Sequence, residues 1–450
     1  MRIGVFHGRK YYLRNVSTAL TALVEGGHEL VLAAPESKGR PVRVPAALEG
    51  SGRVATALYP TGREDGLDRS VAVLRATRNA LRYESPALRD AYANRRRAYR
   101  KLLGALAAAP GGDPPPPVET GAGVDAALAG LEALVPPVGP LVAFIREQRL
   151  DAVVCIGRVN FGGDESEVAK AARVAGVPSG LVVYSWDNLS SKGLVHVHPD
   201  RLFVWNDFQV DEAVELHGAD RRSVIATGAP RFDEFFALRP SAPREQLLGR
   251  VGLDPAAPTV LYLGSSGFVT KREPELIERW VATLRSSGDE RLRTANVLIR
   301  PHPGTLDEPA WTAWQPGLPG VAMPRPRRRA QDLYDQLAAA DAVVALNTSA
   351  ELEAAIAGRP VLTVRTGDLA PGQEGSAHFR YLLAEEGGFV QTADGLDEHA
   401  GQLRKALAED PLAEQRRRFV ERFVRPRGLD RPAGPELAAE IEALAALRGL

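Results

Sequence analysis

Short apolar runs alternate with amphipathic stretches along most of this chain, and the alternation predicts its elements. Residues 3–6 read as a strand. A helix follows through Glu25, with Asn15 or Ser17 as its cap and Gly26-Gly27 as its stop. Residues 29–34 form the next strand and complete a strand–helix–strand unit. Residues 70–108 read as one long helical region, and 124–135 and 139–148 as two further helices. The glycine- and proline-rich run 111–117 reads as a loop without regular structure. The rhythm then returns with strand 152–156, helix Glu165–Ala175 closed by Gly176, strand 180–184, strand 201–205, helix Asp207–His217 and strand 223–226.

A second series starts with strand Thr259–Leu263. It continues with helix 274–285, strand 296–299, helix 330–340, strand 342–346, helix 350–357 and strand 360–364. Strands that alternate with helices imply parallel sheets of the doubly wound type, so the fold class is α/β with two Rossmann-like domains. The polar, proline-bearing stretch 239–258 reads as the connection between them. The domains expected are 1–238, with a helical insertion at about 68–148, and 257–430, followed by a final helix in 431–450. Leu437, Ile441, Leu444 and Leu447 share one face of that helix.

Length supports this division, because 450 residues exceed one ordinary core and suit two domains of roughly 200 residues each. Formal net charge is zero, so no global field recruits nucleic acid. One cysteine, Cys155, excludes an internal disulfide and a cysteine-rich metal site. The N-terminus lacks a signal-peptide apolar region, and no apolar run approaches the ~20 residues of a membrane span. The expected location is the cytoplasm. Abundant Arg, Ala, Gly and Pro with little Lys fits a GC-rich genome. Arginines 75, 78, 82, 89, 95, 96, 97 and 100, with Lys101, outnumber Glu84 and Asp90 in their segment. They form either a solvated face or a docking surface for a charged acceptor or for anionic lipid, the latter as a peripheral contact with the inner membrane.

Two turns of the second series carry candidate chemistry. In Ile299-Arg300-Pro301-His302-Pro303, Arg300 brings a permanent charge with bidentate geometry for phosphate, and two prolines fix the backbone around His302. Asn347-Thr348-Ser349-Ala350-Glu351 opens a helix whose free N–H groups suit a phosphate. The Thr348-x-x-Glu351 spacing is also that of a capping box, which satisfies those groups without a ligand. Glu351 or Glu353 could instead hold a ribose hydroxyl pair. The loop Gly264-Ser265-Ser266-Gly267 allows close backbone approach to a ligand.

In the first series, Gly162-Gly163-Asp164-Glu165-Ser166-Glu167 follows a strand and opens a helix. Asp164 and Glu165 fit a general base for a hydroxyl; the structural alternative is Asp164 as helix cap with Glu167 three residues on. The loop 185–193 gathers Trp186, Asp187, Asn188, Ser190, Ser191 and Lys192, a set suited to carbohydrate stacking and hydrogen bonding. His7, Arg9, Lys10, Arg14 and Asn15 follow the first strand as candidates for an acceptor or a phosphate. No Asp-x-Asp occurs to seat a metal on a diphosphate, no Gly-x-Gly-x-x-Gly follows the first strand, and P-loop and Gly-x-Ser-x-Gly motifs are missing. The expectation is chemistry without metal or cofactor.

The stretch from Val224 to Asp233, then Val260-Leu261-Tyr262, Arg300-Pro301-His302-Pro303 and Asn347-Thr348-Ser349, resembles in order and spacing the GT-B superfamily of nucleotide-sugar glycosyltransferases. Within it, the series is most similar to the branch shared by CDP-glycerol glycerophosphotransferases and capsule polysaccharide transferases. The resemblance covers about residues 150–365 and, generically, the first 40; residues 50–140 resemble nothing named. It implies two domains facing a cleft, with the final helix returning to the N-terminal domain. It also implies metal-independent transfer of a sugar or sugar-like group from a nucleotide donor to a glycan, lipid-linked or small-molecule hydroxyl, in bacterial glycan or glycoconjugate biosynthesis. On this resemblance Arg300, His302, Thr348 and Ser349 hold the donor, joined by Gly264, Ser265, Ser266, Asn347 and Glu351. Asp164, Glu165 and His302 are the catalytic candidates, and His7, Arg9, Trp186, Asp187, Asn188 and Lys192 the acceptor side. The chain departs from the wall-teichoic members in lacking a long membrane-targeting region and an aromatic run after Tyr262. Two alternatives stand beside transfer: a non-hydrolysing nucleotide-sugar 2-epimerase, and a non-catalytic nucleotide-sugar-binding protein.

Overall fold

The computed structural model describes residues 1–8, 11–38, 42–106, 122–157, 159–314, 316–327, 329–374 and 377–447. Arg9, Lys10 and the 111–117 loop therefore lie outside the described residues. The chain divides into two compact units, Met1–Asp233 with Glu421–Leu450, and Glu234–Val420.

The first unit is a seven-stranded parallel sheet. Its strands are β1 (Arg2–His7), β2 (Glu29–Pro35), β3 (Val54–Tyr59), β4 (Ala152–Gly157), β5 (Ser179–Val183), β6 (Arg201–Val204) and β7 (Val224–Ala226), in the order β3-β2-β1-β4-β5-β6-β7. Central strands are apolar at nearly every position because helices cover both faces of a parallel sheet. The period of two sorts their side chains: Val153 and Cys155 enter one core with Ile145 and Val168, whereas Val154 and Ile156 enter the other with Leu20 and Leu23.

The second core is completed by the C-terminal helix Ala433–Ala445, through Leu437, Ile441 and Leu444. It packs on helix Ser17–Glu25 so closely that a Cβ on Gly434 would strike the Thr18 hydroxyl. Asp233 anchors this helix: its carboxylate accepts from the Ala433 and Gly434 N–H groups at 2.9 and 2.7 Å, the Thr18 hydroxyl at 3.0 Å and Arg425 at 3.1 Å.

The second unit is a six-stranded parallel sheet of β8 (Thr259–Leu263), β9 (Asn296–Arg300), β10 (Val321–Ala322), β11 (Ala342–Ala345), β12 (Val361–Val364) and β13 (Val390–Ala393), in the order β10-β9-β8-β11-β12-β13. Residues 239–258 are fastened within this unit: Ser241 bonds Asp335, and Arg244 pairs with Asp341 at 2.8 Å.

Several local expectations are corrected. The 70–108 region is two helices, Asp68–Arg82 and Tyr92–Ala105, broken around Pro86, whose ring disfavours helix in the residue before it. Half of the arginines named there turn inward, while Arg89, Arg96, Arg97 and Arg100 stay exposed: Arg75 pairs with Glu132 at 2.7 Å, Arg78 with Asp125 at 3.0 Å and Arg95 with Glu84 at 2.9 Å. Arg82 is buried against the Lys192 and Gly193 carbonyls. A lipid-facing stripe loses those four charges. Helix Ser17–Glu25 has Val16 at its cap position, and the Ser17 hydroxyl bonds back to the Arg14 carbonyl. No single described helix is long and apolar enough to cross a membrane.

Candidate functional site

Strand order in the first sheet reverses between β1 and β4, and crevices in open parallel sheets form where the order reverses, beyond the strand C-termini. His7 ends β1 beside Ile156 of β4. A mostly polar cavity of about 460 Å³ opens at this point, walled by His7, Tyr12, Tyr59, Asn160, Asp164 and Glu165 among others.

Asp164 precedes helix Glu165–Ala175 but makes no capping bond; its Oδ2 accepts from the Tyr59 hydroxyl at 3.2 Å. Burial, reinforced by Asp164, pushes the Tyr59 phenol far above its ordinary range and keeps it a neutral donor. Glu167 is absorbed by Arg63 at 3.1 Å and Arg75 at 2.8 Å, so the capping pair expected as the structural alternative does not form. Glu165 occupies space that two glycines leave open. A Cβ on Gly157 would come 2.5 Å from Glu165 Oε1, and one on Gly163 would strike Oε2. Between β4 and that helix Val159 sits at φ 51°, a strained setting for a β-branched residue; its carbonyl is held by the Gly193 N–H at 2.7 Å.

The 185–193 loop is corrected. Residues Asn188–Ser191 form a helical turn, and most of the loop's polar side chains gather on Asp187. Asp187 accepts from Lys192 at 2.7 Å, Ser191 at 3.0 Å and Asn188 at 3.1 Å. Asn188 is fully buried, and Trp186 is a core ring set edge-on to Phe423 at 6.2 Å. A ring so placed offers no face to a sugar.

In the second unit the order reverses between β8 and β11. Leu263 is paired with Arg300 of β9 on one side and Ala345 of β11 on the other. The three candidate loops, after β8, β9 and β11, therefore leave adjacent strands at one sheet edge. Gly264 donates its N–H to the Arg300 carbonyl at 2.8 Å, and a Cβ there would lie 2.7 Å from the His302 nitrogen. Only glycine lets the His-Pro turn pack on this loop. His302 Nδ1 accepts from the Gly304 N–H at 3.0 Å, and burial lowers the ring's pKa below the ordinary value. The ring is thus neutral near pH 7 with its proton on Nε2, a hydrogen-bond donor.

Other members of the expected donor set turn inward. Arg300 is buried, with its guanidinium on Asp332 at 2.6 Å, Gln336 at 2.9 Å and the Arg327 carbonyl at 3.2 Å; it clamps helix Ala330–Ala339. Ser265 gives both its N–H and hydroxyl to Glu273 at 2.8 Å, where the Tyr262 hydroxyl also arrives at 3.2 Å. Burial raises Glu273 to about 7. Glu351 is fully buried and accepts from the Thr348 N–H at 2.9 Å, one half of the capping box, and burial raises it to about 8. That places it out of reach of a ribose. Asn347 donates to the Gln373 carbonyl at 2.8 Å. Ser266, His302, Asn347 and Ser349 keep partial exposure. Tyr59, Asn160 and Glu273 went unread in the sequence: Tyr59 ends an unexpected strand, and Asn160 and Glu273 carry no motif.

No protein-family profile matches the chain, and no curated protein matches it. Solved structures do. A putative UDP-N-acetylglucosamine 2-epimerase from Listeria monocytogenes aligns at TM-score 0.53 and 10% identity over 98% of this chain and 97% of that one. A glycosyltransferase from Rickettsia africae aligns at 0.52 and 10% identity over 100% and 99%, and the glycotransferase of kitacinnamycin at 0.50 and 13% over 98% of each. Two parallel α/β units, with a C-terminal helix packed in the first, define a protein of the GT-B fold.

Proposed function

We propose that this protein transfers a sugar from a nucleotide-activated donor to a hydroxyl acceptor. The observation that carries the proposal is the pair Asp164 and Glu165 at the switch point of the first sheet, in the wall of a cavity of about 460 Å³. A carboxylate there takes the acceptor's proton as its oxygen attacks the sugar's anomeric carbon. The nucleotide leaves with the bonding electrons. In the second unit, His302 Nε2–H and the backbone N–H groups of Ser266 and Gly267 are the fixed dipoles suited to its phosphate, since those of Gly264 and Ser265 are taken by Arg300 and Glu273. Arg300 has no direct part in this scheme; its clamp on Asp332 holds the base of the His-Pro turn.

Asp164→Asn and Glu165→Gln each test the base. The true base is expected to lower kcat by about 10²–10⁴-fold with donor saturating. His302→Ala is expected to lower it by about 10-fold or more. Unchanged turnover in all three variants overturns the assignment. A thermal-shift series with CMP, CDP, UDP, GDP and TDP names the nucleotide through ligand-linked stability. The placement beside the CDP-glycerol glycerophosphotransferase and capsule polysaccharide transferase branch rests on motif order alone. The epimerase reading shares the fold, as the Listeria structure illustrates. Incubating donor without acceptor separates the two: epimerised nucleotide sugar favours the epimerase, and donor consumed only with acceptor favours transfer.

A further inference from the structure

The cavity of the first unit has a second, cationic wall that the transfer scheme does not use. Helix Tyr92–Ala105 contributes Arg97 and Lys101, four residues apart and so on one helix face, and both line the same cavity as Asp164 and Glu165. Both side chains are exposed, and neither makes an ion pair among the described residues. The Arg97 guanidinium lies over the Phe161 ring at 5.4 Å, which steadies it at the cavity mouth. Nearby cations behave otherwise. Arg75, Arg78 and Arg95 are neutralised by Glu132, Asp125 and Glu84. A cation already paired offers little to a ligand, whereas two unpaired cations on a concave wall raise the local concentration of anions. Arginine adds a planar fork that fits carboxylate or phosphate oxygens.

We propose that this cavity takes an acceptor that is itself an anion, with Arg97 and Lys101 holding its carboxylate or phosphate while its hydroxyl meets Asp164 and Glu165. This rests on the transfer reading for the word acceptor; the anion site itself does not. Charge complementarity then orients the molecule: its acid is drawn to the cations and repelled by the two carboxylates, so the hydroxyl is presented to the base.

The test uses the full-length protein and three monosaccharide probes: methyl β-D-glucopyranoside, methyl β-D-glucuronide and glucose 6-phosphate. Binding to the wild type is expected to be about tenfold or more tighter for an anionic probe than for the neutral one, the yield of one charge-assisted contact. That margin should shrink with added salt. It should vanish in Arg97→Ala/Lys101→Ala and invert in Arg97→Glu, with the neutral probe's affinity unchanged. Preference for the glucuronide over the phosphate, or the reverse, names the acid. Equal binding of all three probes by the wild type, or a preference that survives the double variant, overturns the proposal. Because binding is measured without turnover, an inert donor would sink the transfer reading and leave this result standing. Both residues are exposed, so the variants should keep the wild-type melting temperature; Arg97→Lys, which retains the charge, should keep much of the preference.

Discussion

Glu165 keeps its place because positions 157 and 163 carry no side chain. Gly163 has no left-handed φ, so alanine fits its backbone and acts only through its methyl group. Gly163→Ala is therefore expected to displace the Glu165 carboxylate and lower kcat about 10-fold or more, with only a small change in melting temperature. In a Glu165→Gln background the same substitution should cost little further, since the group it displaces is already disabled. A full additive loss in the double variant would deny the glycine this positioning role. The place of the carboxylate pair was legible because a Gly-Gly-Asp-Glu run follows a buried strand and opens a helix, but that the acids do not cap this helix was not. Arg300 and Ser265 were not legible in the same way. Each stands at a strand end, but whether the side chain turns outward or inward depends on Asp332 and Glu273, which lie on helices brought there by the tertiary fold. A local motif carries no record of such partners.

Among the elements, the C-terminal helix depends most on a single residue. Asp233 closes the Gly-Ala-Pro-Arg-Phe-Asp stretch that carries part of the GT-B resemblance, and four donors from three segments converge on its buried carboxylate. An ordinary cap is worth about 1 kcal/mol. Removing this one also strands the buried Arg425 guanidinium, so Asp233→Ala should cost ~3 kcal/mol or more. The measurement is the urea midpoint, read beside limited proteolysis of the Ala433–Ala445 helix. A loss below about 1 kcal/mol would reduce Asp233 to a plain cap. The rhythm of strands and helices was readable wherever strands are buried on both faces, as in β4, β8 and β9. Edge strands β3 and β10 escaped, though β7 did not: β3 is exposed at alternate or adjacent positions, and β10 has two residues. The strand order was not readable either, yet it is what brings the loops after β8, β9 and β11 side by side.

Across the whole molecule, buried titratable groups are distributed unequally between the two units, and this sets opposite responses to pH. The first unit holds His196, lowered to about 3, with His198 and His217 also lowered, mainly by burial. Their folded forms bind protons less readily than an unfolded histidine at about 6.5. Unfolding then takes up protons below that pH, and the first unit should lose stability as pH falls from about 6.5 toward 4. The second unit holds Glu273 and Glu351, raised to about 7 and about 8 by burial. Their protonated forms belong to the fold, whereas an unfolded glutamic acid ionises near 4.3. Their contribution is present at low pH and is lost as pH rises through 7 and 8. His302 and His399, lowered in the same unit, oppose them on the acid side. Each group is worth at most about 1.4 kcal/mol per pH unit within its window. Hydrogen exchange followed by mass spectrometry resolves the units: peptides from residues 1–233 should lose protection first at pH 5, and those from 234–420 first at pH 8.5. Glu273→Gln/Glu351→Gln should abolish the alkaline loss in the second unit and steepen its acid limb, because the opposing carboxyls are gone. Parallel loss of protection in both units from pH 5 to 8.5 would show that these buried groups do not set the balance.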